Sequence, residues 1–238
     1  MSRKVNQMVE QQLRAWQHQN REKLRHPSRE EKYFPVITVS REFGTLGAAL
    51  SELLGKQLPF KVWDKKLLQE IAKELGSDEK FLESLDERRR DPVGDAVLGF
   101  LNIQHTNVNY LISLVKVVKT IEEYGSSIIV GRGARYICEN ENSLHIRVVS
   151  PLKTRIREFA KRENISRDES YEIIKDKDAE RADFIQYSFN KDIANAADYD
   201  LLLNSGTYTL EEMAKMVIQA YEIKTGRTLP KSEIKPAE

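Results

Sequence analysis

Short apolar runs separated by helical stripes dominate the chain from Phe34 onward. Segments 35–40 (Pro-Val-Ile-Thr-Val-Ser), 60–63 (Phe-Lys-Val-Trp), 127–130 (Ser-Ile-Ile-Val), 145–149 (His-Ile-Arg-Val-Val) and 199–203 (Tyr-Asp-Leu-Leu-Leu) read as strands. Several are short, apolar and β-branched, as buried parallel strands require. Between them apolar positions recur every three or four residues, the helical period. Leu50, Leu53, Leu54 and Leu58 line one predicted helix; Leu67, Leu68, Ile71 and Leu75 line the next, which stops at Gly76 as at a C-cap. Residues 78–125 read as a helical insert broken by Pro92 and Gly94. Pro151 falls in the first turn of a further helix, where its missing N–H costs nothing. Helices over 169–190 and about 209–224 follow, the second ending before Gly226.

This alternation predicts an α/β, three-layer fold around a mostly parallel five-stranded sheet. Right-handed crossovers put every strand C-terminus at one edge, and ligands bind there. The informative segments are therefore 40–48, 64–66, 131–135, 150–155 and 204–207. Ahead of the alternation, residues 1–25 are polar with a sparse stripe of Val5, Met8, Val9, Leu13 and Trp16. That stripe is one helix face. It either packs on its own domain or serves a homodimer or a protein partner. Pro27 and Ser28 end it, and a charged linker runs to Tyr33. The predicted organisation is an N-terminal helix and linker over 1–33, a domain over 34–224, and a flexible tail over 225–238.

The chain has 238 residues, 40% of them hydrophobic, enough for a sizeable core in one large domain. Charged residues make up 32%, but the signs nearly cancel at +1. Net charge gives no argument for nucleic acid or an acidic membrane, and aromatics are not interleaved with basic residues. Cys138 is the only cysteine, which excludes an intrachain disulfide or a cysteine-based zinc site and fits a reducing cytoplasm. His18, His26, His105 and His145 are scattered without metal-ligand spacing, so no metal site is expected from protein ligands. The basic start Met1-Ser2-Arg3-Lys4 is followed by no apolar h-region, so no signal peptide is expected. No apolar run approaches bilayer-spanning length.

The most informative stretch is Val36-Ile37-Thr38-Val39-Ser40-Arg41-Glu42-Phe43-Gly44-Thr45-Leu46-Gly47-Ala48-Ala49-Leu50. It reads as strand, tight turn and helix, the layout of a phosphate-binding loop. The lysine and Ser/Thr that close G-x-x-x-x-G-K-[ST] are missing. Gly44 and Gly47 allow a sharp turn, and a helix from Ala48 points its positive end at the same place. A lysine's charge-assisted bond is worth about 1.5–3 kcal/mol, so its loss weakens phosphate binding about 10- to 150-fold. Arg41 is the nearest replacement cation. An ordinary strand–turn–helix would carry the same glycines.

Three further places suit the same chemistry. Gly131-Arg132-Gly133-Ala134-Arg135 sets two arginines on a glycine-rich turn, suited to bidentate phosphate recognition or to a solvated surface pair. The 169–190 helix carries Lys175, Lys177, Asp178 and Arg181. Asp178 and Arg181 share one face, Lys177 and Arg181 the neighbouring one. These could close over a phosphoryl group as a lid does, or simply lace an exposed helix. Asp64, directly after the second strand, either caps the next helix or faces an acceptor nucleotide.

Taken in order, these pieces resemble the cytidylate kinase-like family, a branch of the P-loop nucleoside monophosphate kinases. The matching segments are Ile37–Gly44, Trp63-Asp64-Lys65-Lys66-Leu67, Ile129–Ala134, Ser150-Pro151-Leu152-Lys153-Thr154-Arg155, Asp178-Ala179-Glu180-Arg181 and Tyr199–Asn204. The likeness covers about residues 35–222. It implies a P-loop NTPase-like fold with a helical insert between the second and third strands and a late lid. It implies a donor-binding set of Ser40, Arg41, Gly44, Thr45, Gly47 and Ala48, with ATP and Mg2+ as cofactors. The implied acceptor set is Asp64, Arg132 and Lys177, and the catalytic set is Arg41, Arg132, Asp178 and Arg181. The family's loop resembles Ser-Arg-x-x-Gly-Ser-Gly-Gly-Arg-Glu. Here Leu46 replaces a glycine, Ala48 and Ala49 replace an arginine and a glutamate, and Gly133 stands where cytidylate kinases carry an aspartate.

Two functions follow. One is ATP-dependent phosphoryl transfer to a nucleoside monophosphate (CMP-like) or related small acceptor, by a cytoplasmic enzyme. The other is a catalytically impaired relative that binds a nucleotide or a protein partner, motivated by the missing loop lysine, the Ala48-Ala49 pair and Gly133.

Overall fold

The computed structural model describes residues 34–64 and 108–229. Its elements run β1 (Ile37–Arg41), α1 (Gly47–Gln57), β2 (Lys61–Trp63), α2 (Val108–Tyr124), β3 (Ser127–Val130), the single-turn α3 (Ala134–Ile137), β4 (Leu144–Val149), α4 (Leu152–Glu163), α5 (Arg167–Phe189), a 3-10 turn (Ala196–Asp198), β5 (Leu201–Asn204) and α6 (Leu210–Thr225). The strands form one five-stranded sheet in the order β2-β3-β1-β4-β5. Every pairing is parallel, with Ile37 opposite Ile128 and Leu144, Lys61 opposite Ser127, and Ile146 opposite Leu201.

Period-two alternation explains the layers. Ile37 and Val39 of β1, Ile128 and Val130 of β3 and Ile146 and Val148 of β4 pack with Leu50 and Leu54 of α1 and Met213, Val217 and Tyr221 of α6. Val36, Trp63 and Ile129 pack on the opposite side with Leu111, Leu114, Val118 and Ile121 of α2 and Ala134 and Ile137 of α3. Burying each such aliphatic side chain contributes about 1.5–3 kcal/mol. The polar ends of the two large aromatics are satisfied: the Trp63 indole N–H donates to Ser127 Oγ (3.1 Å), and the Tyr221 hydroxyl donates to the Pro35 carbonyl (2.6 Å). Next to this apolar half the sheet turns polar. Thr38 lies opposite His145, and Ser40 opposite Arg147. Thr38 Oγ1 and His145 Nδ1 are 2.7 Å apart, and Arg147 Nη1 donates to Ser40 Oγ at 3.1 Å.

The later helices are bounded by their own chemistry. Ser166 caps α5 by accepting from the Glu169 N–H, with Asp168 and Glu169 in the first turn where the helix dipole favours them. Thr209 and Glu212 form a reciprocal capping box on α6. Ser170 Oγ donates to the Ile156 carbonyl (2.9 Å), tying α5 to α4.

Among the described residues, the strands and helices expected after Phe34 appear with small shifts. β5 starts at Leu201 rather than residue 199, because Ala196–Asp198 form a 3-10 turn capped by Tyr199. Pro151 is the N-cap of α4 rather than a residue of its first turn. Only the 108–124 part of the insert is described, and it is helical. The stripe in 1–25, the helix expected through Leu67–Leu75 with Gly76, and the end of the tail lie outside the described residues. Among the described residues no helix is long and apolar enough to cross a membrane.

Candidate functional site

A cavity of about 590 Å³ opens where β1 and β3 end, covered by α5. Thr38 and Ser40 form part of its floor, and Arg41, Arg132, Lys177 and Arg181 bring cations to its walls. Phe43, Tyr136, Phe184 and Tyr199 supply aromatic surface. Parallel strands put these groups together: Arg41 is the last residue of β1, and Gly131–Arg132 directly follow its neighbour β3.

Arg41 is held between two glycines. A Cβ on Gly47 would lie 2.7 Å from Arg41 Cβ, and one on Gly131 would collide with Arg41 Nη1. Its stem therefore crosses the start of α1 while its guanidinium reaches β3. Burial, then the nearby guanidinium groups of Arg181 and Arg132, lower its pKa to about 10, with Asp64 acting the other way. Arg132 occupies the left-handed region at φ 53°, stacks its guanidinium 5.2 Å from the Phe184 ring, and keeps a buried Nε without a hydrogen-bond partner. Arg181 lies 5.3 Å from the Phe43 ring and donates to the Arg41 carbonyl at 2.9 Å. Burial lowers the pKa of both Arg132 and Arg181. All three stay charged near neutrality, and all three would be stabilised by an anion carrying more than one negative charge.

The glycine loop beside the cavity is organised by Arg155. This buried α4 residue donates through Nε to the Ser150 carbonyl (3.0 Å) and through Nη1 to the Phe43 carbonyl (3.1 Å) and Asp178 Oδ2 (2.5 Å). Glu42 Oε2 lies 3.5 Å from its Nε and accepts from the Ser150 N–H at 3.0 Å. Asp178 Oδ1 accepts from the Phe43 N–H at 2.7 Å. Gly44 turns the chain at φ 79°, and its α-carbon packs against the Arg155 stem, where a Cβ would lie 3.4 Å from Arg155 Cβ. Thr45 Oγ1 donates to the Glu42 carbonyl at 2.8 Å. The helix α1 that follows has no cap from the Leu46 side chain and no acidic residue in its first turn, and its Leu46 and Gly47 N–H groups reach only neutral hydroxyls, Ser205 Oγ and Thr45 Oγ1, each at 3.5 Å, so no protein carboxylate offsets its N-terminal dipole there. Leu46, at φ −79°, adopts ordinary backbone geometry and turns its side chain outward.

Of the residues singled out in the sequence, Ser40, Arg41, Arg132, Lys177 and Arg181 converge on the cavity. Gly44, Thr45, Gly47 and Ala48 form the adjoining loop and helix start, outside the cavity lining. Asp178, expected in the catalytic set, turns its carboxylate to the loop. Lys177 spends its charge partly on Glu180, 2.5 Å away at the surface. Asp64 is exposed at the end of β2, close enough to act on Arg41. Sequence reasoning assigned no role to Arg155, Phe43, Phe184 or Tyr199. The signals for Arg155 were its place in the segment after β4 and its position at the end of the family-like stretch Ser150–Arg155.

Gly133 has a packing reason. At φ 69° it sits against the Phe189 ring, where any Cβ would collide, so an aspartate does not fit there.

A family model described as "Cytidylate kinase-like family" matches residues 36–207. Among solved structures, an uncharacterized protein from Eubacterium ventriosum is similar at a TM-score of 0.63 and 20% identity, covering 79% of this chain and 98% of its own. Shikimate kinases from Bacteroides thetaiotaomicron (TM-score 0.44, 13% identity, 79% of this chain, 98% of that one) and Acinetobacter baumannii (0.43, 11%, 78% and 92%) are also similar. No curated protein matches. With the match spanning the sheet, the glycine loop, the cavity and α5, the chain belongs to the cytidylate kinase-like family.

Proposed function

We propose that this protein transfers the terminal phosphoryl group of ATP to a nucleoside monophosphate or a related small phosphorylated acceptor. The observation that carries this reading is the convergence of Arg41, Arg132 and Arg181 on one aromatic-walled cavity beside the glycine loop. The guanidinium groups suit the acceptor's phosphate, and the rings of Phe43, Phe184, Tyr136 and Tyr199 suit a planar base. Ser40, Gly44, Thr45, Gly47 and Ala48 would hold the donor's phosphates at the start of α1, where the N–H groups of Leu46 and Gly47 meet only long hydroxyl contacts. In the reaction an acceptor phosphate oxygen bonds to the donor's terminal phosphorus. The bond to the bridging oxygen breaks, and ADP leaves with that electron pair. Little covalent work falls to the protein, whose contribution is positioning and charge neutralisation. Arg41, running from the loop to the cavity, is placed to neutralise the group in transit. Magnesium, when bound, would supply further neutralisation of the donor oxygens; Glu42 and Asp178 are the carboxylates beside the loop, and both engage Arg155.

A second reading is a catalytically impaired relative that binds nucleotide without transfer. It is favoured by the lack of any cationic residue in the first turn of α1 and by the outward Leu46. A cytoplasmic setting suits both readings, since Cys138 is the only cysteine and no intrachain disulfide can form.

Calorimetric titration with Mg-ATP, followed by a screen of monophosphate acceptors, separates them. Micromolar ATP binding with transfer to an acceptor supports the kinase. Binding without transfer to any acceptor supports the impaired relative, and no binding at millimolar ATP removes both.

A further inference from the structure

The glycine loop already holds an anion, and the anion is part of the protein. The Phe43 N–H, at the turn from β1 into α1, points at Asp178 Oδ1 (2.7 Å). In a strand-to-helix turn such an N–H is the kind of group that faces a phosphate. This carboxylate is no local cap. It arrives from the middle of α5, and its second oxygen is fixed by Arg155 at 2.5 Å. The same helix is fastened to the loop again three residues on, where Arg181 donates to the Arg41 carbonyl at 2.9 Å.

We propose that Asp178 is a built-in occupant of the phosphate loop, a latch that the donor's polyphosphate must displace before it binds. The inference rests on the donor reading of that loop and adds its regulation. Two anions cannot share the Phe43 N–H, and a carboxylate left in place would repel an incoming phosphate. When Asp178 leaves, Arg155 remains 3.1 Å from the Phe43 carbonyl, with Glu42, 3.5 Å from its Nε, as its remaining carboxylate partner. The loop, which lacks the usual lysine, thereby trades one of the two carboxylates on Arg155 for the incoming phosphate. Apparent donor affinity is then the intrinsic affinity scaled by the fraction of molecules unlatched.

The test is calorimetric titration of the full chain with inorganic tripolyphosphate, comparing wild type with Asp178→Ala and Asp178→Asn. Removing the carboxylate is expected to tighten binding about 10- to 150-fold, the fold-change of one charge-assisted hydrogen bond, with Asp178→Asn gaining less. In the wild type, saturating tripolyphosphate is expected to raise amide hydrogen exchange across Lys175–Arg181. Equal or weaker binding by Asp178→Ala overturns the latch. If that variant fails to fold, the wild-type exchange measurement decides alone, and unchanged exchange across Lys175–Arg181 at saturation overturns the latch. Transfer is not part of the readout. A chain that passes yet phosphorylates no acceptor keeps the latch and loses the kinase reading, whereas an active kinase that fails this test loses only the latch.

Discussion

Arg181 Nη1 donates to the main-chain oxygen of Arg41 across 2.9 Å, so two like-charged residues from α5 and β1 are joined through a neutral acceptor. The bond lets both guanidinium groups line one cavity although burial, then Arg181 and Arg132, lower the pKa of Arg41, and burial, then Arg132 and Arg147, lower that of Arg181. Their mutual repulsion is the counterpart of affinity for a multiply charged anion.

From that arrangement, Arg181→Ala and Arg132→Ala are each expected to lower turnover at least about tenfold, the loss of roughly one charge-assisted contact. Arg132→Lys should recover only part, because a lysine keeps the charge and loses the planar stack on Phe184. Steady-state kinetics with ATP and the preferred acceptor check this. Near wild-type rates from both alanine variants would remove the assignment.

Gly133→Asp, which restores the aspartate of cytidylate kinases, is expected to destabilise the protein rather than improve it. The new side chain meets the Phe189 ring at a positive φ. Overpacking of this kind costs about 1–3 kcal/mol. Chemical denaturation should show the loss, and adding Phe189→Ala should not deepen it by the full amount that this second change costs alone. Undiminished stability of Gly133→Asp would show that the ring moves aside freely.

His145 ties stability to pH. Burial first, then Arg135 and Lys224, lower its pKa to about 3, against 6.5 when exposed, while Asp200 opposes them. The unfolded chain thus binds a proton below pH 6.5 that the folded chain refuses down to about pH 3. This group's stabilisation is complete above 6.5 and is lost as pH falls toward 3. It amounts to roughly 2 kcal/mol between pH 8 and pH 5. Urea denaturation at those two pH values should show a smaller fall for His145→Gln than for wild type; equal falls would count against the buried neutral ring.

A buried ion pair offers a further check. Lys119 Nζ contacts Glu122 Oε2 at 3.1 Å and Glu139 Oε2 at 2.9 Å, and Glu122 Oε1 accepts from the Asn140 N–H at 2.8 Å. Lys119→Met strands a buried carboxylate and is expected to cost about 3–5 kcal/mol. Combining it with Glu122→Gln should cost clearly less than the two separate losses together. Additive losses in a double-mutant cycle would mean the pair is not coupled.

Much of the sheet was legible because its signal is local. The runs ending at Trp63 and Val130 are short, β-rich and bounded by turn residues, and the end of α6 was marked by Gly226. The cations at Arg41, Arg132 and Arg181 were legible for a related reason: each lies near a strand end or on a helix that a parallel sheet returns to the same edge. The loop's true organiser was not. Arg155 draws its partners from Glu42, Phe43, Ser150 and Asp178, and no spacing within one segment encodes that convergence. Asp178 and Arg181 share a helix face as expected, with Nη1 3.9 Å from Oδ1. Only the packed structure divides their work, sending the carboxylate to the loop and the guanidinium to the cavity.

The sheet order β2-β3-β1-β4-β5 has a consequence for biogenesis. The strand at its centre is the first to be made, and its two partners begin only at Ser127 and Leu144. During translation at about 5–20 residues per second, Val36 to Val39 therefore wait roughly 5–20 seconds as an apolar, β-branched segment with no strand to pair with. Folding of the edge that carries the cavity is late and dominated by distant contacts, which makes it slow and exposes it to aggregation. Of the five strands, this central one waits longest for its first partner.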